Sequence, residues 1–338
     1  MNIIRPIRTS DFKALYEIAE ESGVGFTSLP VNDNLLAKKI TRSEASFTKE
    51  VSNPENESYL FVMQDSTTEA VVGTCGIEAC VGIEDAFYHY HLGKVVHASR
   101  ELNIHNTVEI LTVCNDYSGI SEICTLFLRE PARQPNMGRF LSKVRFLFMA
   151  EHQHRFTERV IAEMRGVSDE NGRSPFWEWL EKHFFSMDFP TVDYLTGIGN
   201  KVFIAELMPK YPIYVNLLSQ AAQAAIGKVH DKTKPALALL EKEGFKCRGY
   251  VDIFDAGPTI EAEVDTLKTV RESIRKPALI ATINPQAPLH IIINTQVADF
   301  RAVLQPVEIT DHHILISRET AKALHVHNSD MIRIAPLR

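Results

Sequence analysis

One stretch of the sequence decides the fold: Glu122-Ile-Cys-Thr-Leu-Phe-Leu-Arg129-Glu-Pro-Ala-Arg133-Gln-Pro-Asn136-Met-Gly138-Arg139-Phe-Leu-Ser-Lys143. Its apolar start predicts a buried strand, and apolar residues at helical spacing from Phe140 to Phe148 predict an amphipathic helix. A turn between such a strand and helix aims free backbone N–H groups and the positive end of the helix dipole at one spot. The stretch therefore predicts a phosphate site at the turn that holds Asn136 and Gly138.

The charge of this stretch differs from that of the whole chain. Residues 129–145 contain five basic residues and one acidic residue, whereas the 338 residues together carry 36 Lys and Arg against 43 Asp and Glu, a net charge of −7. An acidic chain argues against binding of nucleic acid or of anionic membrane surfaces. The local positive charge still permits a compact anionic ligand, and the acidic remainder favours a cationic substrate. The alternative is that the basic residues coat a solvent-exposed helix face and that the glycine marks an ordinary turn.

The overall composition is typical of a soluble globular protein, with 45% apolar and 23% charged residues. The chain is long enough for a large domain and a smaller one. It contains no run of about 18 apolar residues that would span a membrane, and its start lacks the apolar core of a signal peptide. The five cysteines are odd in number and include no CxxC pair, so a disulfide framework is not expected. We therefore expect a cytoplasmic protein with reduced thiols.

The remaining segments alternate between predicted strands and helices. Strands are predicted at 3–7, 59–64, 70–81, 159–164, 201–207 and 246–254, and helices at 10–23, 33–50, 212–226 and 234–243 and from 174 onwards. Residues 84–120 are predicted to be irregular, and 279–338 contain several short β-rich runs. The pattern predicts an α+β fold with a mixed sheet flanked by helices. It divides the chain into a larger domain at 1–256 and a small C-terminal β-rich module at 257–338.

Two motifs resemble those of GNAT-superfamily acyltransferases. Arg133-x-x-Asn136-x-Gly138 is similar to the pyrophosphate-binding motif of that superfamily, Gln/Arg-x-x-Gly-x-Gly/Ala, and Gly244-Phe245 leads from a helix into a late strand as it commonly does there. The resemblance implies a GNAT-like acyl-CoA transferase domain at 1–256, with an insertion around 166–230. The chain departs from the pattern because its turn is poorer in glycine and because Pro135 has no N–H group.

Longer strings resemble the arginine/ornithine succinyltransferase family from end to end. They include Gly25-Phe-Thr-Ser-Leu-Pro30, Val96-His-Ala-Ser99, Cys124-Thr-Leu-Phe-Leu128, Ala162-Glu-Met-Arg-Gly166, Ser174-Pro-Phe-Trp177 and Asp252-Ile-Phe-Asp-x-Gly-Pro258. That family transfers the succinyl group of succinyl-CoA to the α-amino group of L-arginine, the first step of a route of arginine catabolism to glutamate and succinate. The resemblance implies succinyl-CoA as co-substrate and no permanently bound cofactor. It also implies that Leu126 contacts succinyl-CoA and that His230 is the proton donor.

The residues suit an acyl transfer that forms an amide. Such a reaction needs a neutral amine, a polarised thioester carbonyl and a proton for the leaving thiolate. Backbone N–H groups beside Leu126 can polarise the carbonyl, and a histidine such as His230 titrates near neutrality. Leu126, Arg133, Asn136 and Gly138 together form the predicted succinyl-CoA site.

Candidates for the arginine pocket follow from charge and hydrogen-bonding groups. A guanidinium pairs with carboxylates, and an α-carboxylate pairs with Arg or with backbone donors. Glu163 and Arg165 are therefore candidates, with a structural ion pair as the alternative reading, and Thr27 and Ser28 offer hydroxyl groups in a loop. Three His-x-His pairs lack a third ligand at a recognisable spacing, so no metal site is expected.

The sequence leaves alternatives open. The acceptor could be ornithine or another amine, and the donor could be another acyl-CoA. The chain could also be a non-catalytic member of a pair of related subunits that keeps the fold, although His230 and the basic helix start favour catalysis. A homo-oligomer and a pair of related subunits are both compatible with the resemblance.

Overall fold

The computed structural model describes residues 1–23, 26, 28–170, 172–197 and 202–338. Within them one mixed sheet runs through the molecule, and helices cover both of its faces. This confirms the α+β class with a mixed sheet flanked by helices. The described strands are β1 (Asn2–Pro6), β2 (Ser58–Asp65), β3 (Val71–Glu78), β4 (His89–Ser99), β5 (Ile104–Cys114), β6 (Ser121–Leu128), β7 (Arg159–Glu163), β8 (Ile213–Tyr214), β9 (Lys246–Asp252), β10 (Pro258–Glu263), β11 (Ile274–Ile280), β12 (Leu289–Asn294), β13 (Ala302–Pro306), β14 (Glu308–Ile309), β15 (Ile314–Ile316) and β16 (Met331–Pro336).

Most of the helices are short, and among the described residues only α2 and α3 reach four turns. The described α-helices are α1 (Phe12–Ser22), α2 (Asp33–Thr48), α3 (Met137–Glu151), α4 (Pro175–Leu180), α5 (Phe189–Gly197), α6 (Val202–Leu207), α7 (Gln220–Ala225), α8 (Lys234–Glu243), α9 (Lys268–Arg271) and α10 (Arg318–Leu324). Among the described residues, none of these helices is long and apolar enough to cross a membrane.

The sheet opens at its centre between β6 and β7. The strand order is β14-β15-β11-β16-β12-β13-β1-β2-β3-β6-β7-β10-β9-β4-β5-β8, mostly antiparallel, with β6 and β7 as a parallel pair. These two strands pair only at their starts, where Ser121 lies opposite Val160 and Glu122 opposite Ile161. Beyond that point they diverge, so the ends of β6 and β7 flank a cleft.

Both faces of the central sheet are buried, which explains why its strands are apolar throughout. On β2, Tyr59 and Phe61 belong to the core beneath α3, whereas Leu60 and Val62 pack with α1 and α2. A strand covered on both faces carries a continuous apolar run instead of an alternating pattern. Helix α3 is buried from Phe140 to Ala150 because it contacts β3, β6, β12 and β16 of the sheet and is also contacted by α9.

Two further cores extend the sheet at its ends. Helices α4 to α7 form an insertion whose apolar residues, such as Trp177 and Ile204, pack with Tyr90 of β4 and Val251 of β9. The C-terminal strands and α10 enclose a separate apolar cluster. Strand β13 continues the sheet by pairing with β1, and β10 pairs with β7 and β9. The division of the chain at residues 256 and 257 stays a prediction.

The expectation that residues 84–120 are irregular is wrong. They contain a long antiparallel hairpin, in which β4 and β5 pair from His89 opposite Cys114 to Ser99 opposite Ile104. Its outer half is largely exposed, so it lacks the alternation of apolar and polar residues that marks a strand with one buried face. The turn at its tip places Asn103 at φ 51°, a conformation that asparagine tolerates.

Two further predictions of secondary structure need correction. The strand predicted at 201–207 is a helix, α6, because a short apolar run fits either element and Ile204 packs inside the helical insertion. The helix predicted at 212–226 is interrupted, because residues 213–214 pair with β5 and Ser219 begins a new helix by accepting the N–H of Ala222.

Candidate active site

Strand β6 contains a β-bulge at the point where the cleft opens. Thr125 has φ 55°, and the register between β3 and β6 shifts between Thr74 and Gly76. A bulge leaves a residue unpaired and changes the direction of the strand. Leu126 follows the bulge directly and is half-buried against the core under α3. The bulge therefore places Leu126 at the edge of the cleft, next to backbone groups that β7 does not pair.

The start of α3 has the geometry of an anion site. Asn136 is the N-cap and adopts the left-handed conformation, with φ 75°. The N–H of Met137 donates to Gln134 O at 3.2 Å, whereas the N–H groups of Gly138 and Arg139 lie in the first helical turn, which offers them no acceptor within the helix. A Cβ on Gly138 would meet no atom within 4 Å, so the space in front of this turn is open.

Arg133 is attached to the end of β6. Its Nε donates to Leu128 O at 3.0 Å, and its guanidinium lies 5.9 Å from the centre of the Phe127 ring. The side chain is exposed, and among the described residues it has no carboxylate partner. A guanidinium held in this way is available to a phosphate at the nearby helix start.

The charge expected at the helix start is only partly present there. Arg129 pairs with Glu17 and Glu21 of α1, and Lys143 is buried with its Nζ 2.9 Å from Glu243. These two cations are already neutralised by carboxylates. The sequence did not show this, because the carboxylates come from other helices.

Arg145 is also withdrawn from the surface. It is 2% exposed, and it donates to Ser142 O, to Ser142 Oγ and, at 3.3 Å, to Cys124 O beside the bulge. Burial lowers its pKa from the usual value. Of the five basic residues between 129 and 145, Arg133 and Arg139 therefore remain at the start of α3. Arg139 also lines an open cavity of about 680 Å³, whose other side is formed by C-terminal residues that include Lys268 and His290.

His230 lies beside the residues that follow β7. Its N–H donates to Arg165 O at 2.9 Å, and its neighbour Val229 forms an antiparallel bridge with Gly166. The ring nitrogen Nδ1 accepts the N–H of Lys232 at 3.1 Å. In a neutral imidazole this contact leaves the proton on Nε2, which is then a hydrogen-bond donor.

The surroundings of His230 favour its neutral form. The ring is half-buried, and its pKa is lowered by burial first and then by the positive charges of Arg165 and Lys232, with Asp231 acting in the opposite direction. The hydrogen bond from His230 N to Arg165 O places the two residues next to each other. The structure thus brings together two residues that the sequence singled out for different roles.

Glu163 is the last residue of β7, and Arg165, two residues later, accepts the N–H of His230 at its carbonyl oxygen. Glu163 Oε1 lies 2.9 Å from Nε2 of His89, and Arg165 donates to Ser168 Oγ at 3.0 Å. His89 is fully buried, and burial lowers its pKa to about 4 against the opposing influence of Asp252 and Asp116. His89 belongs to one of the three His-x-His pairs in which no metal site was expected, and its burial was not predicted because it lies in the segment that was expected to be irregular.

The loop between α1 and α2 faces the end of β6. Ser28 is half-buried in a turn in which Leu29 N donates to Phe26 O at 3.0 Å. The ring of Phe26 contacts that of Phe127 edge to face, with centroids 6.1 Å apart. Ser28 is therefore near the mouth of the cleft, whereas Thr27 lies outside the described residues. In the described parts of the chain, no group of three or more His, Cys, Asp or Glu residues is arranged to hold a metal ion.

Comparison with known proteins finds similarity along nearly the whole chain. The family model described as arginine N-succinyltransferase beta subunit matches residues 2–269, and that of its C-terminal domain matches residues 274–336. The chain is 45% identical to arginine N-succinyltransferases of Yersinia pestis (strain Pestoides F), over 99% of this chain and 97% of the relative, and of Escherichia coli (strain 55989 / EAEC), over 100% and 98%.

One solved structure is similar over the full length. The arginine/ornithine succinyltransferase subunit AI from Pseudomonas aeruginosa superposes with a TM-score of 0.92 at 35% identity, covering 100% of this chain and 99% of that one. Fold, sequence and chain length therefore agree: the chain belongs to the arginine N-succinyltransferase family.

Proposed function

We propose that this protein is an arginine N-succinyltransferase, which transfers the succinyl group of succinyl-CoA to the α-amino group of L-arginine in arginine catabolism. The observation that carries the proposal is the hydrogen bond from His230 N to Arg165 O, which holds His230 next to the end of β7, where β6 and β7 no longer pair and the bulge at Leu126 begins. Family membership over the whole chain supports the same activity. Succinyl-CoA acts as a co-substrate, and no permanently bound cofactor is proposed.

The start of α3 is the proposed site for the phosphates of succinyl-CoA. The N–H groups of Gly138 and Arg139 and the helix dipole favour an anion there, and Arg133 and Arg139 add two positive charges. The open space in front of Gly138 leaves room for a phosphate to approach the backbone. Asn136 sets the direction of the turn through its left-handed conformation.

The acyl end of succinyl-CoA then extends into the cleft towards the bulge. Backbone N–H groups next to Leu126 are the proposed donors to the thioester oxygen, where negative charge develops when the amine attacks. The side chain of Leu126 contributes apolar contact and no chemistry. This arrangement uses the divergence of β6 and β7, because paired strands would have no free N–H groups to offer.

His230 is the proposed proton donor to the leaving thiolate. The reaction forms a C–N bond and breaks the C–S bond, so one proton leaves the amine and one is taken up by the CoA sulfur. The N–H of Lys232 occupies Nδ1, so Nε2 is the ring nitrogen that can face the sulfur. The ring, protonated when transfer occurs, gives its Nε2 proton to the sulfur and becomes neutral, and the proton that the amine loses restores the charge for the next turnover. The lowered pKa of His230 makes its protonated form a stronger acid towards the thiolate.

The end of β7 and the α1–α2 loop form the proposed arginine pocket. Glu163 carries the negative charge that a guanidinium or amine requires, and Arg165 can hold the α-carboxylate. Thr27 and Ser28 are proposed to add hydroxyl contacts. The solved relative is described as an arginine/ornithine succinyltransferase subunit, which makes ornithine the second candidate acceptor.

Location and assembly follow as further parts of the proposal. All five cysteines are free, which supports the proposal that the protein is located in the reducing cytoplasm. The acidic net charge supports the proposal that it binds neither nucleic acid nor membranes. The description of the solved relative as a subunit supports an oligomer, either of identical chains or of related pairs.

Release of CoA thiol is the direct test. Purified protein is mixed with succinyl-CoA or acetyl-CoA and with arginine, ornithine or lysine, and free thiol is followed over time. We expect the fastest release with succinyl-CoA and arginine, and mass spectrometry should find N-succinylarginine. Absence of thiol release with that pair would refute the proposed function and support the non-catalytic subunit.

A further inference from the structure

The segment Asp252-Ile-Phe-Asp255-Ala-Gly257-Pro258 contains a buried carboxyl group that the proposed reaction does not use. Asp255 is 6% exposed and lies in the tight connection between β9 and β10. One of its oxygens, Oδ2, accepts the N–H of Gly166 at 2.6 Å, and the other, Oδ1, accepts the N–H of Gly257 at 2.8 Å. One carboxyl group thus joins two segments that are about ninety residues apart in the sequence.

The backbones of these segments approach so closely that side chains would not fit between them. A Cβ on Gly257 would lie 2.1 Å from Met164 O, and a Cβ on Gly166 would lie 2.5 Å from Asp255 O. Neither neighbour is a flexible side chain that could move away. Glycine is therefore required at both positions, and the Asp255 carboxyl group fills the space that remains.

The same junction holds the loop that carries His230. Gly166 forms the antiparallel bridge with Val229, and the N–H of Gly227 donates to Ala256 O at 2.8 Å. One end of the loop is therefore bonded to Ala256, which follows Asp255. The other end pairs with Gly166, whose N–H donates to the Asp255 carboxyl group. Loss of the carboxyl group would free the 165–166 backbone to which His230 is bonded.

Holding a carboxyl group in this place is costly, which argues for a role beyond packing. Burial and the adjacent Asp252 both raise the pKa of Asp255 well above its usual value. Asp252 is itself fixed, because its Oδ1 accepts the N–H groups of Phe254 and Asp255. An apolar residue would avoid the cost of burying a polar group but would leave the N–H groups of Gly166 and Gly257 without acceptors.

We propose that Asp255 is a positioning residue for His230: it holds the backbone at residues 165–166 in the place from which His230 reaches the cleft. This inference rests on the proposed function for its kinetic consequences. It assigns Asp255 no contact with either substrate. Its effect passes through one backbone bridge and the hydrogen bond between His230 N and Arg165 O.

The test is a double-mutant cycle of Asp255→Asn and His230→Ala, read by thiol release with succinyl-CoA and arginine. Asn can accept only one of the two N–H groups, so we expect kcat to fall about 10-fold or more, while KM for succinyl-CoA changes less than about 2-fold. In the His230→Ala background the same substitution should cost less than about 2-fold, because the residue it positions is gone. An equal loss in both backgrounds, or unchanged kcat, would overturn the proposal.

A control and a second variant separate positioning from folding. Asp11→Asn removes another buried carboxylate that accepts a backbone N–H, that of Arg8 at 2.8 Å, but far along the chain from the cleft, and it should lower Tm without lowering kcat. Asp255→Ser leaves space for a water molecule that can accept both N–H groups, and should retain more turnover than Asp255→Asn. Failure of both Asp255 variants to fold would assign the contact to folding and overturn the positioning role.

A measurement without turnover distinguishes this inference from the proposed function. The charged groups that act on the His230 ring are Arg165, Lys232 and Asp231, and the first of these moves if the junction loosens. NMR titration of the His230 ring, assigned by comparison with His230→Ala, should show its pKa rising towards 6.5 in Asp255→Asn. An unchanged titration would contradict the positioning role even if the wild-type protein showed no transferase activity.

Discussion

The start of α3 and the His230 loop are two halves of the proposed site, and the chain builds them differently. Arg133, Asn136 and Gly138 lie in one short segment, residues 133–138, and their arrangement follows from a strand that runs into a helix. His230 takes its place from contacts with residues 165–166, which in turn contact residues 255–257. The first half is local and the second depends on distant segments. Substitutions in the first should therefore change the affinity for succinyl-CoA, and those in the second should change turnover.

The largest effect is expected at His230. His230→Ala removes the proposed proton donor, and kcat should fall about 100-fold or more, the usual contribution of a general acid. KM for succinyl-CoA should change little, because the phosphate contacts are remote. The assay is thiol release, with His327→Ala, an exposed histidine of the C-terminal part, as the control. Full turnover of His230→Ala would show that the proton donor is another group.

Glu163 tests whether the distant half also recognises the amine. Glu163→Gln removes the negative charge, and KM for arginine should rise about 10-fold, the effect of losing one charge-assisted hydrogen bond. KM for succinyl-CoA is the internal reference and should not change. A fall in Tm with unchanged KM for arginine would support the alternative, a structural role for Glu163 through its contact with His89.

The local half is tested by two arginines of the same stretch. Arg139→Gln removes a half-buried cation that has no carboxylate partner in the described structure. KM for succinyl-CoA should rise about 5-fold with kcat nearly unchanged, since one partly exposed charge contributes about 1 kcal/mol. Arg129→Gln is the matched control, because Glu17 and Glu21 already pair with it. Equal effects of the two substitutions would mean that net charge, and not position at the helix start, decides the affinity.

The smallest effect concerns the other end of α3. Burial lowers the pKa of His152 to about 4, while its ring packs 4.8 Å from Phe148. The folded state then binds fewer protons than the unfolded chain, whose histidines titrate near 6.5, so stability is complete above about pH 6.5 and falls as the pH drops towards 4. The loss from this group should be about 1 kcal/mol at pH 5.5.

Thermal unfolding at pH 7.5 and 5.5 measures that loss. His152→Leu should narrow the difference in stability between the two pH values, and His154→Leu, at an exposed neighbouring position, should leave it as in the wild type. A difference that is as large in His152→Leu as in the wild type would mean that other groups cause the acid sensitivity.

Prediction from sequence succeeded where the signal is local and failed where partners are distant. The strand at Glu122–Leu128 and the helix that contains Phe140 to Phe148 were recognised from apolar spacing. The β4–β5 hairpin was missed, because a strand that is exposed on both faces carries no period. The surplus positive charge at the helix start was overestimated, because only the structure shows Lys143 paired with Glu243 and Arg145 buried beneath the bulge.

The sequence by itself determined the α+β class, the turn at Asn136 and Gly138, and a family resemblance along the whole chain. These depend on residue spacing, which a single segment contains. Only the tertiary structure decided that β6 and β7 diverge beyond Glu122 and Ile161, and that His230, Arg165 and Asp255 meet at one junction. The physical reason is that hydrogen bonds between segments sixty to ninety residues apart depend on how the sheet brings those segments together. No local pattern encodes which N–H group will find which acceptor.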